Sequence, residues 1–280
     1  IHTAPNVQQS GTHLPAFFFC RYIATGESFR SLSFAFRISY SYINPTLVDF
    51  KTKADEFWTK WNFPNCILAI DGKHVRIRCP NNSGSLFFNH KDYFSTVLLA
   101  MVDANYKFVA IDVGSYGKEG DSEDCALPGT DMIVPHVILG DQAFRLHKHI
   151  LRPFSQKAAR GDNSKTIFNY RLSRARRVTE NAFGLLSQVF RVFYQPINIA
   201  PTTVDDLIIV TCCLHNMLRD AYLEHNGKAY YQFDQEYSTV NNMRSFSGES
   251  GFINTEGVIV RDIFKDYFAN IGAVPWQIIQ

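Results

Sequence analysis

The hydrophobic positions change rhythm several times along this chain, and each change marks an element. Residues 46–61 set Phe57, Trp58 and Trp61 on one side of a helix, closed by Asn62-Phe63-Pro64-Asn65. Residues 66–70 are apolar throughout, as expected of a strand buried on both faces. Val75-Arg76-Ile77-Arg78 alternates and is expected to extend that strand after a turn at Gly72. Two β-branched runs, 94–102 and 107–113, flank Asp103-Ala104-Asn105-Tyr106 and predict a β-hairpin. Residues 137–139 form a further short buried strand. A helix is expected over 146–151 up to Pro153, followed by a polar basic loop to Thr166. The spacing of Val178, Ala182, Leu185, Leu186 and Val189 then predicts an amphipathic helix over 173–193. Another helix runs over 204–222, capped by Thr202 or Thr203. Residues 224–257 are polar and without period, and a last helix covers 258–271 before Gly272. Strand, hairpin, strand and then helices suit an α/β fold with an RNase H-like mixed sheet flanked by helices.

The N-terminal part reads differently. Residues 1–16 are expected to be disordered. Residues 17–61 read as a truncated helix-turn-helix-like region, a small helical remnant beside the main fold. A would-be recognition helix starting near Ser39 meets Pro45 within a few residues, too soon to reach many base edges. The main domain is assigned to 62–222, with a polar loop and C-terminal helix over 223–280.

Three acids stand out from this pattern. Asp71 ends the apolar run 66–70, Asp141 ends Val137-Ile138-Leu139-Gly140, and Glu180 lies on the polar face of the long helix. Acids at the ends of two buried strands, with a third on a later helix, are the layout of a metal-dependent nuclease. Hard divalent ions take carboxylate oxygens, and paired ions serve phosphodiester hydrolysis. Gly184, one turn beyond Glu180, leaves room for close approach. Other polar residues read more plainly. Asp103 suits a turn, Asp112 lies mid-strand, and Asp121, Glu123 and Asp124 fall in a loop. His74 and His215 are read as packing residues, and His147 and His149 as lacking a cysteine at zinc-binding spacing.

The motifs Ala69-Ile70-Asp71-Gly72-Lys73-His74, Leu139-Gly140-Asp141-Gln142-Ala143-Phe144 and Asn169-Tyr170-Arg171 through Gly184 resemble the DDE domain of Harbinger/PIF-type transposases. Leu214-His215-Asn216 and Gly272-Ala273-Val274-Pro275-Trp276 are similar to elements of the same family. The likeness spans 17–276 with gaps. It implies a DDE-class endonuclease or transposase that hydrolyses phosphodiesters with two metals and carries out strand transfer. Asp71, Asp141 and Glu180 would be both catalytic residues and metal ligands, for Mg²⁺ or alternatively Mn²⁺. It also implies DNA as partner (transposon ends or derived targets), a Myb-like partner protein, and location in the nucleus and also the cytoplasm. The alternative is a catalytically silent, transposase-derived DNA- or protein-binding protein.

Charge sharpens the DNA reading. Residues 145–177 hold ten Lys/Arg against the single acid Asp162, so this segment carries +9 while the whole chain carries +2. Lys148, Arg152, Arg171, Arg174, Arg176 and Arg177 are the expected DNA contacts, since such a concentration suits a phosphate backbone. Six cysteines form no CxxC pair and read as reduced thiols in an intracellular protein, with no structural zinc. No run approaches a membrane span, and 15–20 does not read as a signal peptide. Residues 114–136 are glycine-rich and without apolar period, where the family carries an amphipathic helix. The expectation is an internally deleted copy whose Asp141 strand has lost the layer over one face, and which cleaves DNA poorly.

Overall fold

An eleven-residue strand, β1 (Cys66–Arg76), is buried along nearly its whole length and organises the sheet. The computed structural model describes residues 50–80, 83–89, 91–112, 124–225, 243–245 and 254–278. The disorder expected for 1–16 and the part of the 17–61 helix-turn-helix-like reading before residue 50, together with Asp121 and Glu123, fall outside the described residues. Helix α1 (Phe50–Trp61) precedes β1. Asn62 and Asn65 turn the chain between them with positive φ, 56° and 54°, a conformation Asn tolerates better than most residues.

No turn forms at Gly72. The ladder from Ala69 to Arg76 against β2 (Ser95–Val102) is unbroken, with Gly72 opposite Leu99. Val75 and Arg76 therefore belong to the same strand, since antiparallel pairing on one edge and burial hold it straight through the glycine, and Ile77 follows it as a bridge to Ile197. The hairpin continues into β3 (Phe108–Asp112). Asp103 builds its turn, its Oδ1 accepting from Asn105 N at 2.8 Å and Lys107 N at 3.0 Å.

After β3 come a small ribbon, β4 (Asp124–Ala126) with β5 (Ile133–Pro135), then β6 (Val137–Leu139) and β7 (Ile150–Leu151). The helix expected over 146–151 is instead a tight turn feeding β7. His147 and Ile150 exchange backbone hydrogen bonds at 3.0 and 3.1 Å, and Gly140 N donates to Leu151 O across the β6 edge. The basic stretch that read as loop holds a short helix, α2 (Gln156–Ala159), and the first turns of α3 (Asn163–Val189). Ser155 and Asp162 supply the N-caps, accepting from Ala158 N and Lys165 N. Helix α4 (Pro201–Glu224) follows, and the stretch that read as irregular contributes β8 (Met243–Ser245) and the start of α5 (Thr255–Ala269), capped by Asn254.

The strand order is β3-β2-β1-β6-β7, with β8 also on β1. β1, β6 and β7 run parallel, and β2 and β8 lie antiparallel to β1. This is a mixed RNase H-like α/β sheet. Helix α3 crosses one face and packs on α5 through Phe168, Phe264 and Phe268. The other face is not bare. Phe50 and Ala54 of α1 cover Ile67, Leu68 and Ile138 there, so a helix from before the sheet supplies the layer whose loss the sequence suggested. Among the described residues no helix is long and apolar enough to cross a membrane.

Candidate metal and DNA site

Strand geometry brings two of the three acids together. Ala69 of β1 pairs with Leu139 of β6 in parallel, and Asp71 and Asp141 each follow that pair by two residues. A step of two returns a side chain to the same face, so both acids emerge side by side on the α3 side of the sheet. Asp71 is only 2% exposed, and its Oδ1 accepts from Gly72 N at 3.0 Å. Asp141 sits just past β6 in a turn, its Oδ1 accepting from Ala143 N at 2.9 Å. Gly140 has no room for a side chain, because an added Cβ would lie 2.9 Å from the Phe144 ring. Burial, with Asp71 adding to it, pushes the Asp141 carboxyl above its ordinary range, against the Ala143 hydrogen bond and the charges of Arg176 and Lys73.

Two cations complete the cluster. Lys73 shares the Asp71 face, again by a step of two, and its Nζ lies 3.1 Å from Asp71 Oδ2 and 5.5 Å from the Phe183 ring centre. Arg176 of α3 extends Nη1 to 3.9 Å from Asp71 Oδ1 and Nη2 to 3.2 Å from Glu180 Oε1. Glu180 thus joins the site through the guanidinium, while its side chain stays 52% exposed. The sequence had marked Arg176 only as a DNA contact and had given Lys73 no role. The available signals were i+2 spacing from Asp71 on a strand and i−4 spacing from Glu180 on a helix.

Among the described residues, no three His, Cys, Asp or Glu side chains converge closely enough to hold a metal ion. The donor set nevertheless fits a hard divalent cation. Asp71 offers its carboxylate from within β1 and Asp141 from just past β6, and the buried Asp71 already leans on two positive groups. Glu180 would have to leave Arg176 to join them.

The basic stretch divides. Arg171 has no exposed surface; it donates to Gly272 O at 3.2 Å, Gln277 Oε1 at 2.8 Å and Asn62 O, and stacks on Phe268 and Trp276. Arg152 is 6% exposed and donates to the carbonyls of Gln142 and Phe144. Both are structural, and neither presents its guanidinium to a phosphate. Arg174 is half-buried over Trp276, its centre 4.2 Å from that ring, and donates to Asn62 Oδ1. Lys148 lies 3.7 Å from Asp124, and Arg177 is exposed.

The remaining polar residues are scaffolding. His74 is buried against Ser95 and Tyr93, and Asp103 is enclosed by its turn and by Lys53 at 2.5 Å. His147 and His149 stand with ring centres 6.2 Å apart, and His149 Nδ1 donates to His136 O. His215 is 2% exposed and donates from Nε2 to Tyr106 O at 2.8 Å. Asn216 brackets the backbone of Phe108, accepting from its N at 2.8 Å and donating to its O at 2.7 Å. The Leu214-His215-Asn216 motif is therefore a clamp that α4 closes on the hairpin. Polar residues at consecutive positions on the packed face of an apolar helix were its sequence signal.

An acid in the middle of one strand, a second just past the end of its parallel neighbour and a helix that tethers a third make a site that suits the mixed RNase H-like sheet. The chain belongs to the DDE superfamily endonucleases, whose family profile matches residues 70–216. That span runs from the residue before Asp71 to Asn216 and so takes in the acids and the α4 clamp. The chain is also similar to the candidate nuclease HARBI1 of Rattus norvegicus, 26% identical over 179 residues, covering 58% of this chain and 48% of that protein. It thus spans about half the length of the curated relative it matches. No solved structure matches it. Nucleases of the DDE superfamily use divalent metal ions.

Proposed function

We propose that this chain is the catalytic core of a DNA endonuclease of the transposase type. In it Asp71, Asp141 and Glu180 hold Mg²⁺, with Mn²⁺ as a substitute. The observation that carries this reading is the parallel register of β1 and β6, which sets Asp71 beside Asp141 under α3. Metal held there would supply an activated water and a counter-charge for the departing 3′ oxygen. Lys73 pairs with the buried Asp71 carboxylate and aims it, and α3 packs behind the site with Val178, Ala182 and Phe183. Exposed Arg177, with Arg145, Lys157 and Arg160, offers DNA a sequence-independent backbone contact. Strand transfer would use the same acids with a DNA 3′ hydroxyl in place of water. A Myb-like partner for target recognition, and work in the nucleus, belong to the same reading.

A second reading, a DNA-binding descendant that no longer cuts, is favoured by one observation. Glu180 is turned onto Arg176, and no three acids converge among the described residues. Supercoiled plasmid separates the two. With Mg²⁺ the wild type should yield nicked circles and Asp141→Ala none. Plasmid retained in a mobility-shift gel but never nicked would support the silent reading.

A further inference from the structure

We infer that Arg176 is an ionic latch on the metal site: its guanidinium ties Glu180 to Asp71, and a divalent ion binds only by displacing it. The inference rests on the proposal that Asp71, Asp141 and Glu180 are metal ligands. One guanidinium serves acids from two different elements, with Nη1 3.9 Å from Asp71 and Nη2 3.2 Å from Glu180. The four groups differ sharply in exposure. The Asp71 and Lys73 side chains are 3% and 9% exposed, Arg176 is 19% and Glu180 is 52%.

The inner pair, desolvated and close, stays together. The outer contacts are a 3.9 Å approach and a solvent-facing i,i+4 pair, the kind worth little in water and easily exchanged. Lys73 is accordingly the permanent counter-ion and Arg176 the removable one. Two cations against three carboxylates leave the cluster one net negative charge, a weak attraction for a divalent ion. With Arg176 swung away the net charge doubles, and Glu180 is released from the nitrogen that occupied its oxygen. Arg176 is a positioning residue here, because it acts on the ligands rather than on the substrate.

The test is Mn²⁺ binding, read by the loss of the free-ion electron paramagnetic resonance signal, for wild type, Arg176→Gln, Arg176→Lys and Asp141→Asn. Asp141→Asn keeps an oxygen for Ala143 N while removing the charge, so it reports whether the acids hold metal at all. If Arg176 competes with metal, Arg176→Gln should bind Mn²⁺ about tenfold more tightly, the scale of one nearby unit charge in a partly screened site. Arg176→Lys should fall between, since a point-charge ammonium cannot span two carboxylates as the guanidinium fork does. Urea midpoints for both Arg176 variants should stay near the wild type. Unchanged or weaker Mn²⁺ binding in Arg176→Gln, with binding lost in Asp141→Asn, would overturn the latch and leave the metal reading standing. Wild-type binding in Asp141→Asn would overturn the metal reading and the latch with it.

Discussion

Replacing Asp71 by Asn removes the carboxylate that Lys73 approaches at 3.1 Å, in a place where both side chains are more than nine-tenths buried. Water cannot take over the lost interaction, so the cost is that of breaking a buried pair, about 3–5 kcal/mol in general. Asp141 lies close enough to take up part of the released charge, which puts the expectation at the lower end, about 3 kcal/mol. Lys73→Met keeps the stem against Phe183 but strands Asp71, with Arg176 only at 3.9 Å, and should cost a similar amount. The double variant Asp71→Asn/Lys73→Met loses both charges together and leaves neither buried alone. It should therefore cost less than the two singles combined, by about 2–3 kcal/mol of coupling. The assay is urea unfolding of all four proteins at neutral pH without divalent metal, followed by far-ultraviolet circular dichroism and by tryptophan fluorescence. Coincident transitions would license the free energies. Single costs below about 1 kcal/mol with an additive double would show an ordinary screened ion pair, and the buried-pair reasoning would fail. The prediction also bears on activity measurements. An Asp71 variant that does not cut has lost stability as well as a ligand, so Asp141→Ala is the cleaner test of chemistry.

Two further outcomes follow from α4. Burial drives the His215 imidazole down to about 4 from an ordinary 6.5, so the folded protein refuses a proton that the unfolded chain accepts. Stability is therefore full above pH 6.5 and is lost as pH falls towards 4, on the order of 3 kcal/mol in all, and His215→Gln should flatten that part of the urea-midpoint profile. Asn216→Ala would leave the buried Phe108 N–H and C=O without their side-chain partners, costing about 2–5 kcal/mol by urea unfolding, and a loss under about 1 kcal/mol would refute the clamp.

What could be read from the sequence follows a physical line. β1 and the hairpin were legible because their apolar and β-branched runs are long, and β6 because its three residues are all apolar. The acids were legible as interruptions at the ends of those runs. β7 and β8 were not, since two or three residues carry no periodicity and are strands only because an edge of β6 or β1 receives them. The start of α3 was hidden for a different reason. Its first turns are polar, and the Asp162 cap that starts them looks like one more loop residue until Lys165 N is seen to donate to it. The layer from α1 was missed because the expectation looked for cover between β3 and β6, where the family has a helix, rather than ahead of β1.

The basic stretch was the most misleading. Composition showed one positive patch, but a guanidinium's role depends on what reaches it from far along the chain. Arg171 is claimed by Gly272 O and Gln277, about a hundred residues later, and by the aromatic faces of Phe268 and Trp276. Gly272 is required there because any Cβ would strike the Tyr267 ring, 2.1 Å away, and its carbonyl could not then be offered. The closing Gly272-Ala273-Val274-Pro275-Trp276 run is thus a brace fastened to the same helix that carries Arg176 and Glu180. The Leu214-His215-Asn216 clamp braces the hairpin, with Phe108 packed between His215 of α4 and Phe183 of α3. Much of the motif likeness outside the three acids is accounted for by these two supports. A site that must hold acids on two neighbouring strands beneath a single long helix needs that helix and that hairpin fixed, and the chain spends its buried arginine, asparagine and histidine on fixing them.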